Sequence, residues 1–368
     1  MRRHARLLLP IVVFGVLALV PQISVGTHGV FSSPLDSPGT LQLLGLMLCF
    51  GGIALSYDLL FGYTGLLSFG HALYVAVGVY LTAVATAKWG WGLAPTLLLT
   101  AVVGLVLPLI LGAVSLRVSG IAFAMVTLAF AEAGSTLAQK NPRGWTGSEE
   151  GVSVNYDHLP SWMVGVFNTK YLYWIALGYL VAVFLIVNWA VDSSPGRVWQ
   201  AIRENEQRVQ VLGMRPFTHK LSAFVLASFL ATGGGVVYVL LITRADPSVT
   251  TPSFTLALLL MVVIGGAGTR WGPVLGAALY TFLDHRLPDW SNSGFINDLP
   301  DALSKPLSQP LFVLGVLFIL LVYFLPGGLV GLARLGPRRG GLETLEQAVE
   351  IGGTHGDVVE EEEVEARL

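Results

Sequence analysis

Asp192-Ser-Ser-Pro-Gly-Arg-Val-Trp-Gln-Ala-Ile-Arg-Glu-Asn-Glu-Gln-Arg-Val-Gln-Val-Leu-Gly-Met214 is a polar stretch set between two uninterrupted apolar runs, 171–191 and 221–242. Ser194 can N-cap a helix here, Pro195 suits its first turn and Gly213 can end it, so the stretch carries both a start and a stop signal. Read as one helix, it places Val198, Ile202, Val209 and Leu212 on one side. Arg203, Glu204, Gln207, Arg208 and Gln210 then supply a charged surface. An amphipathic helix between two membrane-length runs reads as a docking element lying outside the bilayer.

Working outward, the composition fits that setting. Of the 368 residues, 54% are hydrophobic and only 12% charged, about half the charge expected of a soluble domain. Mean hydropathy is +0.69, and runs of about 17–25 apolar residues read as spans. They fall at 7–25, 41–57, 64–87, 93–115, 118–139, 171–191, 221–242, 254–268, 273–287 and 310–330. The fold class is therefore an all-α polytopic membrane protein of about eight to ten transmembrane helices. Residues 1–25 form an N-terminal transmembrane helix, 26–335 a transmembrane body containing the 192–220 loop, and 336–368 an acidic, disordered tail with Glu360 to Glu363 and Glu365. Arg2-Arg-His-Ala-Arg6 before an apolar run also fits a signal peptide. No A-x-A cleavage site follows, which favours a retained helix.

Charge orients the chain. Only Lys88, Lys140, Arg143, Lys170, Arg244, Arg286 and Lys305 of the 21 basic residues fall on the side opposite Arg2. The positive-inside rule then puts both termini and the 192–220 stretch in the cytoplasm. Two long outer loops remain, 141–170 with Trp145, Trp162, Glu149 and Glu150, and 284–309 with Trp290. They suit an external partner or a plain aromatic interface belt.

Two glycine-rich segments echo each other: Gly62-Tyr63-Thr64-Gly65 before Ser68-Phe-Gly70-His71, and Gly265-Gly266-Ala-Gly268 before Arg270-Trp-Gly272-Pro273. Paired interruptions in two halves are the pattern of broken helices along a substrate path. Close helix packing through small residues is the plainer alternative. Candidate path residues are Tyr63, Thr64, His71, Thr127 and Glu132, each with a structural reading beside it: a hydroxyl spent on backbone, a packing histidine, an acid snorkelling to the interface. Thr127 and Glu132 are about 140° apart on an ideal helix and need not share a site. Asp58 reads as a helix-end residue.

Catalytic signals are lacking. Gly265-Gly-Ala-Gly-Thr269 has no lysine of a nucleotide loop, the seven histidines form no metal-ligand pair, and Cys49 is the only cysteine. A net charge of −2 leaves no nucleic-acid footprint. The residues leave open a stand-alone secondary transporter or channel, a scaffold subunit and, remotely, a membrane enzyme.

Leu60-Phe-Gly-Tyr-Thr-Gly-Leu-Leu-Ser-Phe-Gly-His-Ala72, Gly120-Ile-Ala-Phe-Ala-Met-Val-Thr-Leu-Ala-Phe-Ala-Glu132, 194–207, Leu212-Gly-Met214 and Val263-Ile-Gly-Gly-Ala-Gly-Thr-Arg-Trp-Gly-Pro-Val-Leu-Gly-Ala277 together resemble branched-chain amino acid ABC transporter permeases of the M-subunit type. The resemblance runs from about residue 40 to 330. It implies a non-enzymatic inner-membrane subunit that imports small neutral amino acids by alternating access. A second homologous permease subunit, two cytoplasmic ATP-binding subunits that use ATP and Mg, and an extracytoplasmic solute-binding protein complete such a system. It also implies that Ala201, Arg203, Glu204, Asn205, Glu206 and Gly213 couple to the ATPase, with Gly62, Gly65, Gly70, Gly265, Gly266, Gly268, Gly272 and Pro273 as hinges. Urea and short-amide permeases share much of this pattern.

Overall fold

Apolar runs become helices because a backbone in hydrocarbon must satisfy its own hydrogen bonds. The computed structural model describes residues 2–22, 34–158, 160–163, 168–291, 309–325 and 327–332. The helices are α1 (Arg2–Leu19), α2 (Pro38–Asp58), α3 (His71–Ala87), α4 (Leu93–Ser115), α5 (Ile121–Lys140), α6 (Thr169–Asp192), α7 (Ser194–Glu204), α8 (Glu206–Val211), α9 (Pro216–Ile242), α10 (Pro252–Gly265), α11 (Gly272–Ser291), α12 (Pro310–Phe324) and α13 (Gly328–Leu332). Contacts divide the chain into 1–330 and 331–368. The acidic tail expected at 336–368 lies outside the described residues.

Helix α2, with its π-helical extension Leu59–Tyr63, is the hub and packs on α6, α9, α10 and α11. It is apolar all round and buried over most of its length, as a core helix should be. Glycines set the closest approaches. A Cβ on Gly78 of α3 would collide with the Thr232 carbonyl of α9, and one on Gly235 of α9 with the Val75 carbonyl of α3. That reciprocal pair seats α3 against α9 as small residues do in membranes. Helix α4 is different: Leu98, Val102, Leu105, Leu109 and Ile110 form an exposed aliphatic face along it. Helix α1 packs on α6, where Tyr173 Oη donates to the Leu17 carbonyl at 2.7 Å and Phe14 meets Phe184 edge-on.

Among the described residues, five helices, α2 with its π-helical extension, α4, α5, α6 and α9, are long and apolar enough to cross a membrane. Several expected bounds shift. The third run starts as a helix at His71 and not at 64, because Gly65 adopts φ +75° and the chain unwinds through 64–70. Helix α11 continues to Ser291, past the apolar run that ends at 287, so Trp290 is helical and the loop begins later. The tenth run splits before α13, where Gly328 takes φ +64°. At the end of the bundle opposite α7 and α8, two short strands clip the 141–168 segment to the chain after α9, pairing Val152 with Ala245 and Ser153 with Arg244 antiparallel. Arg244 also donates to the Glu150 carbonyl. Asp246 then caps a 3-10 turn, and the Ser248 backbone and hydroxyl donors hold its carboxyl below the usual range.

Candidate functional site: two broken helices joined by a polar segment

The first break spans the end of α2 to the start of α3. Its unwound backbone is satisfied almost entirely by side chains. Leu66 N–H reaches the Leu60 carbonyl at 2.9 Å. Thr64 donates to the Leu59 carbonyl at 2.9 Å and Tyr57 Oη to the Ser68 carbonyl at 3.1 Å. Phe69 N–H donates to Thr127 Oγ1 of α5 at 3.1 Å, Gly70 N–H to Ser68 Oγ at 3.3 Å and Ala72 N–H to Thr255 Oγ1 of α10 at 3.0 Å. Two other helices, α5 and α10, thus help to hold one unwound loop, as lipid cannot. His71 is fully buried, with Nε2 3.1 Å from Ser56 Oγ. Ser56 gives its own proton to the Ile53 carbonyl at 2.7 Å, so Nε2 carries the imidazole hydrogen. Nδ1 is left a bare acceptor without a partner.

The second break, between α10 and α11, is built by size. A Cβ on Gly265 would strike the Gly272 carbonyl, and one on Gly276 the Met261 carbonyl. Gly266 and Gly268 take φ +112° and +72°, conformations that side chains rarely adopt. One side chain of its own serves the turn: Thr269 Oγ1 donates to the Gly266 carbonyl at 2.7 Å and accepts from Gly272 N–H at 3.1 Å.

Asp58 ties the breaks together. It is the last residue of α2, as a helix-end reading expects, yet its Oδ1 accepts from Gly268 N–H at 2.8 Å, and a Cβ on Gly62 would meet both Asp58 and Gly268. Asp58 is wholly buried and its Oδ2 has no partner.

The polar segment corrects the single-helix expectation. Asn205 is extended (φ −161°, ψ 104°) and its side chain accepts from Arg208 N–H at 3.0 Å, ending α7 and capping α8. Ser193, not Ser194, caps α7. Ile202 and Val209 are buried on either side of the break, with Trp199, while Leu212, expected on the same stripe, lies past the end of α8 and is 74% exposed beside Val211 at 88%. Gly213 does end the segment, at φ +80°.

Four contacts fasten this segment to the bundle. Trp199 Nε1 donates to the His219 carbonyl at 2.9 Å, and Glu206 pairs with Lys220 at 2.6 Å. Arg203 turns inward and donates to the Gly62 carbonyl in the first break; its Nη1 lies 2.9 Å from where a Gly268 Cβ would sit. Asp192 pairs with Arg270 of the second break at 2.6 Å. One segment therefore holds both breaks.

Of the five candidate path residues, Thr64, His71 and Thr127 gather at the first break and Tyr63 closes the π turn, buried. Glu132 does not join them; it is exposed on another face of α5. Asp58, Asp192, Thr255 and Arg270 are site residues that periodicity passes over. For Asp58 a signal existed, since an acid within a span is a functional hypothesis by default. Among the described residues no three His, Cys, Asp or Glu converge as metal ligands.

The family described as "Branched-chain amino acid transport system / permease component" matches residues 39–325. The chain is 26% identical to the high-affinity branched-chain amino acid transport system permease protein LivM of Salmonella typhimurium, over 81% of this chain and 71% of that protein. LivM of Escherichia coli gives the same figures. A probable branched-chain amino acid transport permease protein LivM of Methanocaldococcus jannaschii is 24% identical over 79% of this chain and 94% of its own length. No solved structure matches. A match across both breaks and the segment between them means that this multi-pass membrane protein belongs to the family of branched-chain amino acid transport permease components.

Proposed function

We propose that this chain is the inner-membrane permease subunit of an ATP-driven importer for branched-chain or related neutral amino acids. The carrying observation is that the polar segment from the end of α6 through α8 contacts both helix breaks, through Arg203 of α7 on Gly62 and Asp192 at the end of α6 on Arg270. In this reading both termini and the segment are cytoplasmic. The chain works beside a second homologous permease subunit, two ATP-binding subunits that consume ATP with Mg, and an extracytoplasmic solute-binding protein. Relatives named as components of a high-affinity transport system support that company.

Closure of the ATPase pair moves α7 and α8 as one body, and Arg203 and Asp192 pass the movement to the breaks. Binding of ATP must favour one arrangement of the breaks over the other, or nothing shifts. Ala201, Glu204, Asn205, Glu206 and Gly213 shape the docking element. Val211 and Leu212, exposed outside the bilayer at its tip, are its apolar contacts, while Arg203 is the inward transmitter. Tyr63, Thr64, His71 and Thr127 hold the wall of the path at the first break, and Glu132, on another face of α5, is a path residue only if solute also passes that face. The hinges are Gly62, Gly65 and Gly70 in one break and Gly265, Gly266, Gly268, Gly272 and Pro273 in the other.

Uptake by the reconstituted complex, screened with leucine, isoleucine, valine, other neutral amino acids and urea, tests the reading. Stimulation of ATP hydrolysis by branched aliphatic amino acids is expected. Stimulation by urea alone would reassign the substrate, and absence of any associated ATPase would end the importer reading.

A further inference from the structure

Helices α4 and α6 both pack on α9 but hardly touch one another. The gap between them is a cleft of about 470 Å³, lined by Leu97, Thr100, Ile175, Ile186 and, on its floor, Phe229 and Gly233. Its size is that of an ordinary ligand pocket, roughly 300–1,000 Å³. Phe229 and Gly233 lie one turn apart and are half-buried on a helix otherwise largely buried, so this cleft is what leaves them open.

The chemistry of the cleft narrows its occupant. Tyr179 Oη is spent on the Leu230 carbonyl at 3.0 Å and Thr232 Oγ1 on the Ser228 carbonyl at 3.0 Å. Thr100 Oγ1 is the one lining hydroxyl left without a partner. An amino acid would bring an ammonium and a carboxylate that find no counterparts here, at a cost of several kcal/mol each by order of magnitude. Water needs about two to four polar partners and is equally ill served.

The rim of the cleft is continuous with the lipid-facing surface. Leu97 and Ile186, 41% and 36% exposed, run into the aliphatic strip of α4 and into Leu185 of α6. Trp162, half-exposed, stands at the mouth, at the end of the bundle away from α7. An indole there suits the level of lipid headgroups.

We propose that this cleft is a phospholipid site in which one acyl chain lies between α4 and α6 on the floor of α9, with its headgroup beside Trp162. The acyl chain is the occupant that asks for no hydrogen bond and that the surrounding bilayer supplies. It completes the packing of the gap, since interiors tolerate few voids larger than a water. This inference goes beyond the transport reading and needs only that the chain sits in a membrane.

The test places the full chain, with its co-purifying subunits, in vesicles of phosphatidylethanolamine and phosphatidylglycerol doped with a phospholipid carrying a diazirine along one acyl chain. Irradiation and peptide mapping should label 229–240 of α9 as well as the outward face of α4. Gly233→Leu fills the cleft from its floor, where a Cβ meets only the Tyr179 ring at 3.6 Å. Ala101→Phe fills it from the α4 side. Either variant, at normal membrane abundance, should lose the α9 label and keep the label on Leu98 and Val102. An unlabelled α9 in the wild type, or α9 label unchanged in both variants, would overturn the proposal. So would α9 label that appears only when the chain is made without its partner subunit, because a protein surface would then be the occupant.

Discussion

The two helix breaks solve one problem with different balances of hydrogen bonding and close packing. Between α2 and α3 the freed backbone is caught by side chains from elsewhere, Thr127 from α5 and Thr255 from α10. Between α10 and α11 side chains also catch two freed N–H groups, Asp58 taking Gly268 and Thr269 taking Gly272, but the turn itself is closed by proximity, with Gly265 against Gly272 and Gly276 against Met261. The first break is a set of separable hydrogen bonds that can be exchanged one at a time as helices move. The second has fewer such bonds and rests more on a steric fit. The difference implies that the second break moves as a unit and the first rearranges, with Asp58 and Arg203 between them.

The sharpest way to break that comparison is Gly265→Ala. Its Cβ meets backbone that cannot swing aside, so overpacking should cost about 1–3 kcal/mol or more. Membrane abundance and thermal midpoint in detergent should both fall. A variant as abundant and as stable as the wild type would show the second break to be compliant.

Thr127→Val leaves Phe69 N–H without its acceptor in a part-buried site, a loss of about 1–3 kcal/mol. Thr127→Ser keeps the oxygen and should restore most of it. Thermal midpoints of the two variants separate a hydrogen-bond latch from simple packing, since Val is the closer match in shape. Equal losses from Val and Ser would mean that the methyl group, not the hydroxyl, matters.

Asp58→Asn sharpens the link between the breaks. The amide oxygen can still accept from Gly268 N–H, so abundance should hold while uptake drops, because the carboxyl group facing Arg203 is replaced by an amide that cannot ionise. Asp58→Ala also strands the Gly268 N–H and should lower abundance too. Matching phenotypes for Asn and Ala would reduce Asp58 to a structural acceptor.

The smallest effect belongs to the far end, remote from both breaks. Asp246→Ala removes a cap worth about 1 kcal/mol. The folded carboxyl titrates below its unfolded value, so this contribution is present at neutral pH and disappears as pH falls through the folded value. The gap in thermal midpoint between wild type and variant should therefore close on acidification. A gap independent of pH would assign the loss to packing.

Much of this architecture was legible in the sequence. The run 93–115 became α4 with the same bounds, and both glycine segments became breaks, because hydropathy and glycine content are local properties. Asn205 was not legible as a break. Its neighbours kept helical spacing, and only the extended backbone of Asn205 and its capping bond to Arg208 show that one helix stops and another starts. Arg203 sits on the charged side of a helical wheel, yet its long side chain folds back to a carbonyl 141 positions earlier. Asp58 meets Gly268 across 210 positions. Such pairings depend on which helices lie side by side, and periodicity within one segment carries no trace of that.

The most direct test of the central claim is Arg203→Ala in the reconstituted complex, with uptake, ATP hydrolysis and co-purification of the ATP-binding subunits measured together. The account predicts that the ATPase subunits still bind, through Val211 and Leu212, while uptake is lost at normal abundance. Uptake at the wild-type rate would contradict it, because the contact between the polar segment and the first break would then transmit nothing.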